Sequence, residues 1–213
     1  MRPLPAARLG GGEVLIFAMA CVVVGVVYLY FTTNALAALV AAATWLLYAV
    51  VYTPLKSRTA WNTHIGAVAG AMPVLIGAAA VGGRWQPAAV LFSLLLLWQF
   101  PHFMAIAWLY REQYARAGLK MAPVVDPSGR IARLQAVFSA LALLPLSFYA
   151  AWHYPPGETQ VYMLAALLLG AGQLACAIAF CVWMNNVTAR WLLRASLIYL
   201  PALMLLLIAL PLL

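Results

Sequence analysis

Residues 98–125 read WQFPHFMAIAWLYREQYARAGLKMAPVV. A Pro-His pair is followed by two apolar turns and then by Arg111, Glu112, Tyr114, Arg116 and Lys120. Two earlier stretches carry similar chemistry. RPLPAARLGGGE at 2–13 holds Arg2 and Arg8, and YTPLKSRTAWN at 52–62 holds Lys56, Arg58 and Asn62. Arginine grips phosphate through a fixed fork and lysine as a point charge. Lys56 and Arg58 also precede a helix start, where unpaired backbone N–H groups favour an anion. These residues therefore suit a phosphate or diphosphate, with Arg2, Lys56, Arg58, Asn62, Arg111, Arg116 and Lys120 as its candidate contacts. His102, Glu112 and Tyr114 are the candidate catalytic side chains. His102 lies several residues inside an apolar run, and an ionisable side chain there carries a functional reading by default. At helical spacing it shares a face with Trp98, Gln99 and Ile106. Helix-to-helix hydrogen bonding is the plainer alternative for it.

The elements that must position these residues are set by composition. The chain is 67% hydrophobic and 8% charged, where a soluble domain carries about a quarter charged residues. It is an all-helical integral membrane protein on that count. Apolar runs long enough to cross a bilayer occupy 14–33, 35–52, 64–82, 86–108, 131–152, 160–183 and 192–213, about seven spans at about 20 residues each. Turn signals separate them at Thr32-Thr33-Asn34, Thr53-Pro54, Gly82-Gly83, Pro155-Pro156-Gly157 and Asn185-Asn186. Pro54 is expected to stop its helix just after Tyr52. The run from Val14 is too long for a signal-peptide core and reads as a span. Cys21, Cys176 and Cys181 lie in apolar runs and read as small buried hydrophobes.

The net charge of +8 speaks to membrane orientation, and no nucleic-acid partner is expected. With alternating spans, Arg2, Arg8, Lys56, Arg58, Arg111, Arg116, Lys120, Arg130, Arg133, Arg190 and Arg194 fall on one side, and Arg84 falls on the other. That side is expected to be cytoplasmic. A cationic mouth above an apolar bundle suits an amphipathic substrate with a diphosphate head and a lipid tail.

In order and spacing, RPLP, YTPLKSRTAWN and WQFPHFMAIAWLYREQYARAGLKMAPVV resemble the heme O synthases, or protoheme IX farnesyltransferases, a branch of the UbiA-type intramembrane prenyltransferases. The resemblance runs over nearly the whole chain and implies one transmembrane domain over 1–213. It implies farnesyl diphosphate bound with Mg²⁺ in a cavity open to the cytoplasm, and transfer of the farnesyl group to a vinyl group of heme b. The product, heme O, would serve heme-copper terminal oxidases. Membrane lipid, heme A synthase and oxidase assembly factors are the implied partners, and a bacterial inner membrane the implied location. The family pattern also implies two helices and an aspartate-rich motif, N-x-x-x-D-x-x-x-D, ahead of RPLP. Its later motif carries an aspartate where this chain has Gln113, which leaves Glu112 as the implied metal ligand. The chain is accordingly expected to match the C-terminal two-thirds of such an enzyme, with an incomplete metal site and no heme O synthesis as written.

Two other classes compete. A UbiA-type enzyme with a quinone or chlorophyll precursor as acceptor would lack the PHF-to-PVV block. A non-catalytic membrane paralogue or small transporter would place facing polar residues near the bilayer midplane. Here the polar residues collect at one face.

Overall fold

The computed structural model describes residues 10–149 and 156–209. Among them, seven helices are long and apolar enough to cross a membrane. They are α1 (Gly11–Thr32), α2 (Ala35–Leu46) with its extension to Leu55, α4 (Asn62–Ala80), α5 (Trp85–Leu109), α8 (Arg130–Tyr149), α9 (Pro156–Trp183) and α10 (Asn186–Ala209). Short helices α3 (Thr53–Leu55), α6 (Arg111–Arg116) and α7 (Ala122–Val125) occupy the basic end. In hydrocarbon every backbone polar group must be satisfied within the segment, and helices do this for runs rich in Leu, Ala and Val.

The turn signals act as caps. Asn34 accepts from the Ala37 N–H at 2.9 Å, and its amide donates to the Ala79 carbonyl at 2.8 Å. Asn185 accepts from the N–H groups of Val187 and Thr188 at 2.8 and 2.9 Å. Several helices begin before their apolar stretch: α4 at Asn62, α9 at Pro156 and α10 at Asn186. Hydropathy marks the part of a helix that suits lipid, and polar residues continue the helix beyond it.

Pro54 does not stop its helix after Tyr52. The backbone widens into a π-helical turn over Leu47–Tyr52 and continues through Thr53–Leu55. The Thr53 N–H and hydroxyl both donate to the Tyr48 carbonyl, the hydroxyl at 2.9 Å. The wider turn thus accommodates a residue that has no N–H of its own to donate. Pro73, Pro101, Pro145 and Pro201 likewise sit inside helices, as neighbouring helices permit in membranes.

Helix α5 is central and packs on α4, α8 and α10; α9 closes a four-helix group with α8 and α10, and α2 joins α4 to α1. Without a hydrophobic drive in lipid, such contacts depend on close packing and interhelical hydrogen bonds. Gly66 and Gly70 of α4 supply the close approach. A Cβ on Gly66 would stand 2.6 Å from the Tyr52 ring, and one on Gly70 would strike the Gln99 amide. Helix α1 buries none of its residues. Cys21 is exposed on it, and Cys176 and Cys181 are half-buried. The reading of all three as buried is corrected: Cys21 is exposed because α1 packs on α2 and leaves its other faces outward, and Cys176 and Cys181 are only partly buried.

Candidate active site at the basic end of the bundle

Hydrogen bonds between turns fix which ends are shared. The Lys120 N–H donates to the Lys56 carbonyl at 2.7 Å, and Arg111 reaches Asn186 Oδ1 at 3.4 Å. These bring the α3–α4, α5–α8 and α9–α10 connections to one end. Asn34 with Ala79, and Gln86 with Tyr149 at 3.3 Å, mark the other. Lys56, Arg58, Arg111, Arg116, Lys120, Arg130, Arg133, Arg190 and Arg194 lie toward the first end, and Arg84 lies at the second. Arg2 falls outside the described residues.

Two neighbourhoods divide the candidate cations. Lys56 places Nζ 4.3 Å from the centre of the Tyr52 ring and 5.5 Å from that of Tyr48. Tyr114 lies near enough to Tyr52 for their phenols to interact electrostatically. Arg111 lies over the Trp108 ring at 4.4 Å and donates to the Trp108 carbonyl at 2.8 Å, toward α9 and α10. Lys56 and Arg111 thus rest on different rings. Arg58 and Lys120 have exposed side chains. Arg116 pairs with Glu112 at 3.7 Å along α6, both well exposed, so solvent screens the pair.

Asn62 is fully buried and faces inward. Its amide donates to the carbonyls of Thr59 at 2.6 Å and Lys120 at 2.9 Å. Its N–H groups are thereby spent on tying the 56–61 loop to the 117–121 loop.

His102 turns toward α10. Its Nδ1 lies 2.9 Å from Ser196 Oγ, and its ring stacks on Trp98 at 4.9 Å and 22°. Gln99 does not share that environment. Its amide donates to the Ala67 carbonyl of α4 at 2.9 Å. Trp98 and Gln99 are one position apart, a rotation of about 100°, and His102, four positions on from Trp98, returns to the α10-facing side with it.

The described carboxylates do not assemble a metal site. No group of three or more His, Cys, Asp or Glu residues that could hold a metal occurs among the described residues. Asp126 is committed to the start of α8, accepting from the Ser128 N–H at 3.1 Å and the Ile131 N–H at 2.9 Å. The Ser128 hydroxyl, then the Ile131 N–H, hold its carboxyl below the usual carboxylate range. Mg²⁺ requires near-octahedral oxygen ligands and is usually held by one or two carboxylates. Glu112, exposed and paired with Arg116, does not by itself fit that requirement.

Tyr48, Tyr52, Ser196 and the His64–Gln135 bridge, at 3.1 Å between ring and amide nitrogens, were not singled out by residue type. Tyr48, Tyr52 and Lys56 do recur every four positions, a signal for one helical face. Nothing local in the apolar α10 marks Ser196 as the neighbour of His102.

Such a bundle, with cations, phenols and a histidine gathered toward one end, is a multi-pass helical membrane protein. Residues 1–200 match the model of the UbiA prenyltransferase family. A protein of Solibacter usitatus named protoheme IX farnesyltransferase is 45% identical over 94% of this chain and 68% of its own length. A Rhodopirellula baltica protein of the same name is 42% identical over 96% of this chain and 74% of its own. The mitochondrial protein of that name from Arabidopsis thaliana is 39% identical over 96% of this chain and 47% of its own. No solved structure matches the chain. The chain belongs to the UbiA prenyltransferase family, and it is a transferase enzyme of the membrane.

Proposed function

We propose that the reaction of this protein is transfer of the farnesyl group of farnesyl diphosphate to a vinyl group of heme b, the step that yields heme O, with residues 1–213 binding both substrates and the incomplete metal site keeping the chain as written from completing the transfer. The observation that carries the proposal is the run of identity to proteins named for this reaction, which covers 94% and 96% of this chain. We read residues 1–213 as one prenyltransferase domain in a bacterial inner membrane, with the basic end cytoplasmic.

In this reading Lys56, Arg58 and Lys120 neutralise the diphosphate as its bond to the farnesyl C1 breaks, with Arg111, Arg116 and the undescribed Arg2 as further contacts. The phenols of Tyr52 and Tyr48 stand beside the lysine that would hold the leaving group. The terminal vinyl carbon of the porphyrin bonds to the allylic C1, water adds to the cation left on the inner vinyl carbon, and the proton it loses passes to the released diphosphate or to solvent. Exclusion of water around C1 until then prevents hydrolysis. His102 faces the acceptor. Asn62 keeps the two loops in register. The Mg²⁺ that UbiA enzymes use with diphosphates is not matched by the described carboxylates, and no step is assigned to it.

Binding tests this reading directly. Protein in lipid nanodiscs should retain tritiated farnesyl diphosphate and release it to inorganic diphosphate. Heme b should bind with a shift of its main absorbance band, and 4-hydroxybenzoate, a quinone precursor, should not compete. Failure to bind heme b, or displacement of it by the quinone precursor, would overturn the assignment.

A further inference from the structure

Four contacts around His102 determine more than its position. Ser196 is fully buried in α10. Its hydroxyl lies 2.7 Å from the Leu193 carbonyl and 2.9 Å from His102 Nδ1. A carbonyl oxygen can only accept, and a hydroxyl has one proton to give. If that proton went to the imidazole, the Leu193 and Ser196 oxygens would face each other at 2.7 Å without a hydrogen between them. Both contacts are satisfied together in one way: Ser196 donates to Leu193, and His102 donates Nδ1–H to Ser196. Trp98 holds the arrangement from a second side. Its indole N–H donates to the Ser196 carbonyl at 2.7 Å while its ring stacks on the imidazole.

Neutral His102 then carries its lone pair on Nε2. That nitrogen can accept a hydrogen bond or bind a metal, and it cannot donate to a carboxylate. A heme presents both an iron and propionate carboxylates, and the tautomer chooses between them. Metal-binding histidines commonly have the other ring N–H held by a neighbouring oxygen in this manner. We propose that Ser196 is a positioning residue that fixes His102 as the Nδ1–H tautomer, so that His102 meets the iron of the heme acceptor through Nε2 and not its propionates. The iron contact rests on heme b being the acceptor, as proposed above; the tautomer does not.

The chain has three histidines, so the ring nitrogens of ¹⁵N-histidine-labelled protein give a countable spectrum, with His102 assigned by its loss in His102→Ala. In the unsubstituted chain in nanodiscs, a protonated Nδ1 and a bare Nε2 are expected. Ser196→Ala should mix the tautomers, and Ser196→Thr, which keeps the hydroxyl, should restore the single one. Added heme b should show a nitrogen-ligated iron spectrum that His102→Ala abolishes. Ser196→Ala should weaken heme affinity by about 10–100-fold, the usual cost of losing the partner that orients a metal-binding histidine. A protonated Nε2 in the unsubstituted chain, or an undisturbed Nδ1–H in Ser196→Ala, overturns the positioning role. Heme b that binds with the same spectrum in His102→Ala overturns the iron contact while leaving the acceptor assignment intact. Absence of heme b binding in the unsubstituted chain defeats the acceptor assignment itself and the iron contact with it, and leaves the tautomer to be judged on the nitrogen spectrum alone. The measurements on the unsubstituted chain decide even if Ser196→Ala does not fold.

Discussion

Lys56 is held by the faces of two phenols, a contact worth about 0.5–1 kcal/mol when exposed and about 2 when desolvated. This leaves the ammonium's three N–H donors uncommitted to any acceptor, so the lysine is oriented before a ligand arrives. A hydrogen bond to a charged group contributes about 1.5–3 kcal/mol. Lys56→Gln should therefore weaken retention of tritiated farnesyl diphosphate by about 10–100-fold, while Lys56→Arg loses less because it keeps the charge. Equal affinity in Lys56→Gln would remove Lys56 from the site. Asp126 yields a prediction of a different kind. Its carboxyl is held below the ordinary 3.8 by the Ser128 hydroxyl and the Ile131 N–H. A group whose pKa is lowered on folding contributes stability above its unfolded value, and that contribution disappears as pH falls through the folded value. The thermal midpoint of the unsubstituted protein should thus fall below about pH 4 more steeply than that of Asp126→Asn. At neutral pH the Asn variant should melt lower. Parallel melting curves across pH would contradict this account of the α8 start.

At the scale of elements, the seven spans were legible because lipid imposes a length and a composition on them. Their meeting surfaces were not. Glycines at positions 66 and 70 show that something approaches α4 closely, yet only the three-dimensional arrangement says that Tyr52 fills one site and Gln99 the other. The π-helical turn at Leu47–Tyr52 was also illegible, since Pro54 ordinarily signals a stop and the compensating Thr53 hydroxyl is a matter of geometry. Gly66→Ala should force the Tyr52 ring aside and cost about 1–3 kcal/mol, the range for overpacking, read as a lower melting temperature in nanodiscs. Combining it with Tyr52→Ala should recover part of that loss beyond additivity. No recovery would mean that the ring is not what the new methyl meets. Asn62 belongs to this scale too, because residue type suggested a ligand contact and the fold commits its amide to two loops. Asn62→Ala should speed hydrogen exchange at the Lys120 N–H, which donates to Lys56. Unchanged protection there would detach Asn62 from the loop contact.

For the whole molecule, two asymmetries coincide, and each was visible in the order of residues along the chain. Nine of the ten described lysines and arginines lie toward the end where the loops of Lys56, Lys120 and Asn186 meet, and Arg84 lies at the other. His102 lies between that end and the middle of α5. What order alone did not give is the split of the cations into a Lys56 side and an Arg111 side, because the path of each long side chain depends on which ring it finds. The positive-inside rule is the basis for proposing that the basic end is cytoplasmic, and chemical labelling can check that independently of any substrate. In a variant lacking Cys21, Cys176 and Cys181, single cysteines replace Lys56, Arg116 or Glu158, and cells are treated with a membrane-impermeant maleimide. Glu158→Cys should react in intact cells, since α9 starts at the end opposite the basic loops. Lys56→Cys and Arg116→Cys should react only after permeabilisation. The reverse pattern would invert the protein in the membrane and put the proposed diphosphate contacts on the wrong face for a cytoplasmic substrate. Reaction of Lys56→Cys and Arg116→Cys on opposite faces would break the shared end itself, and with it the hydrogen bond from the Lys120 N–H to the Lys56 carbonyl on which the site is built.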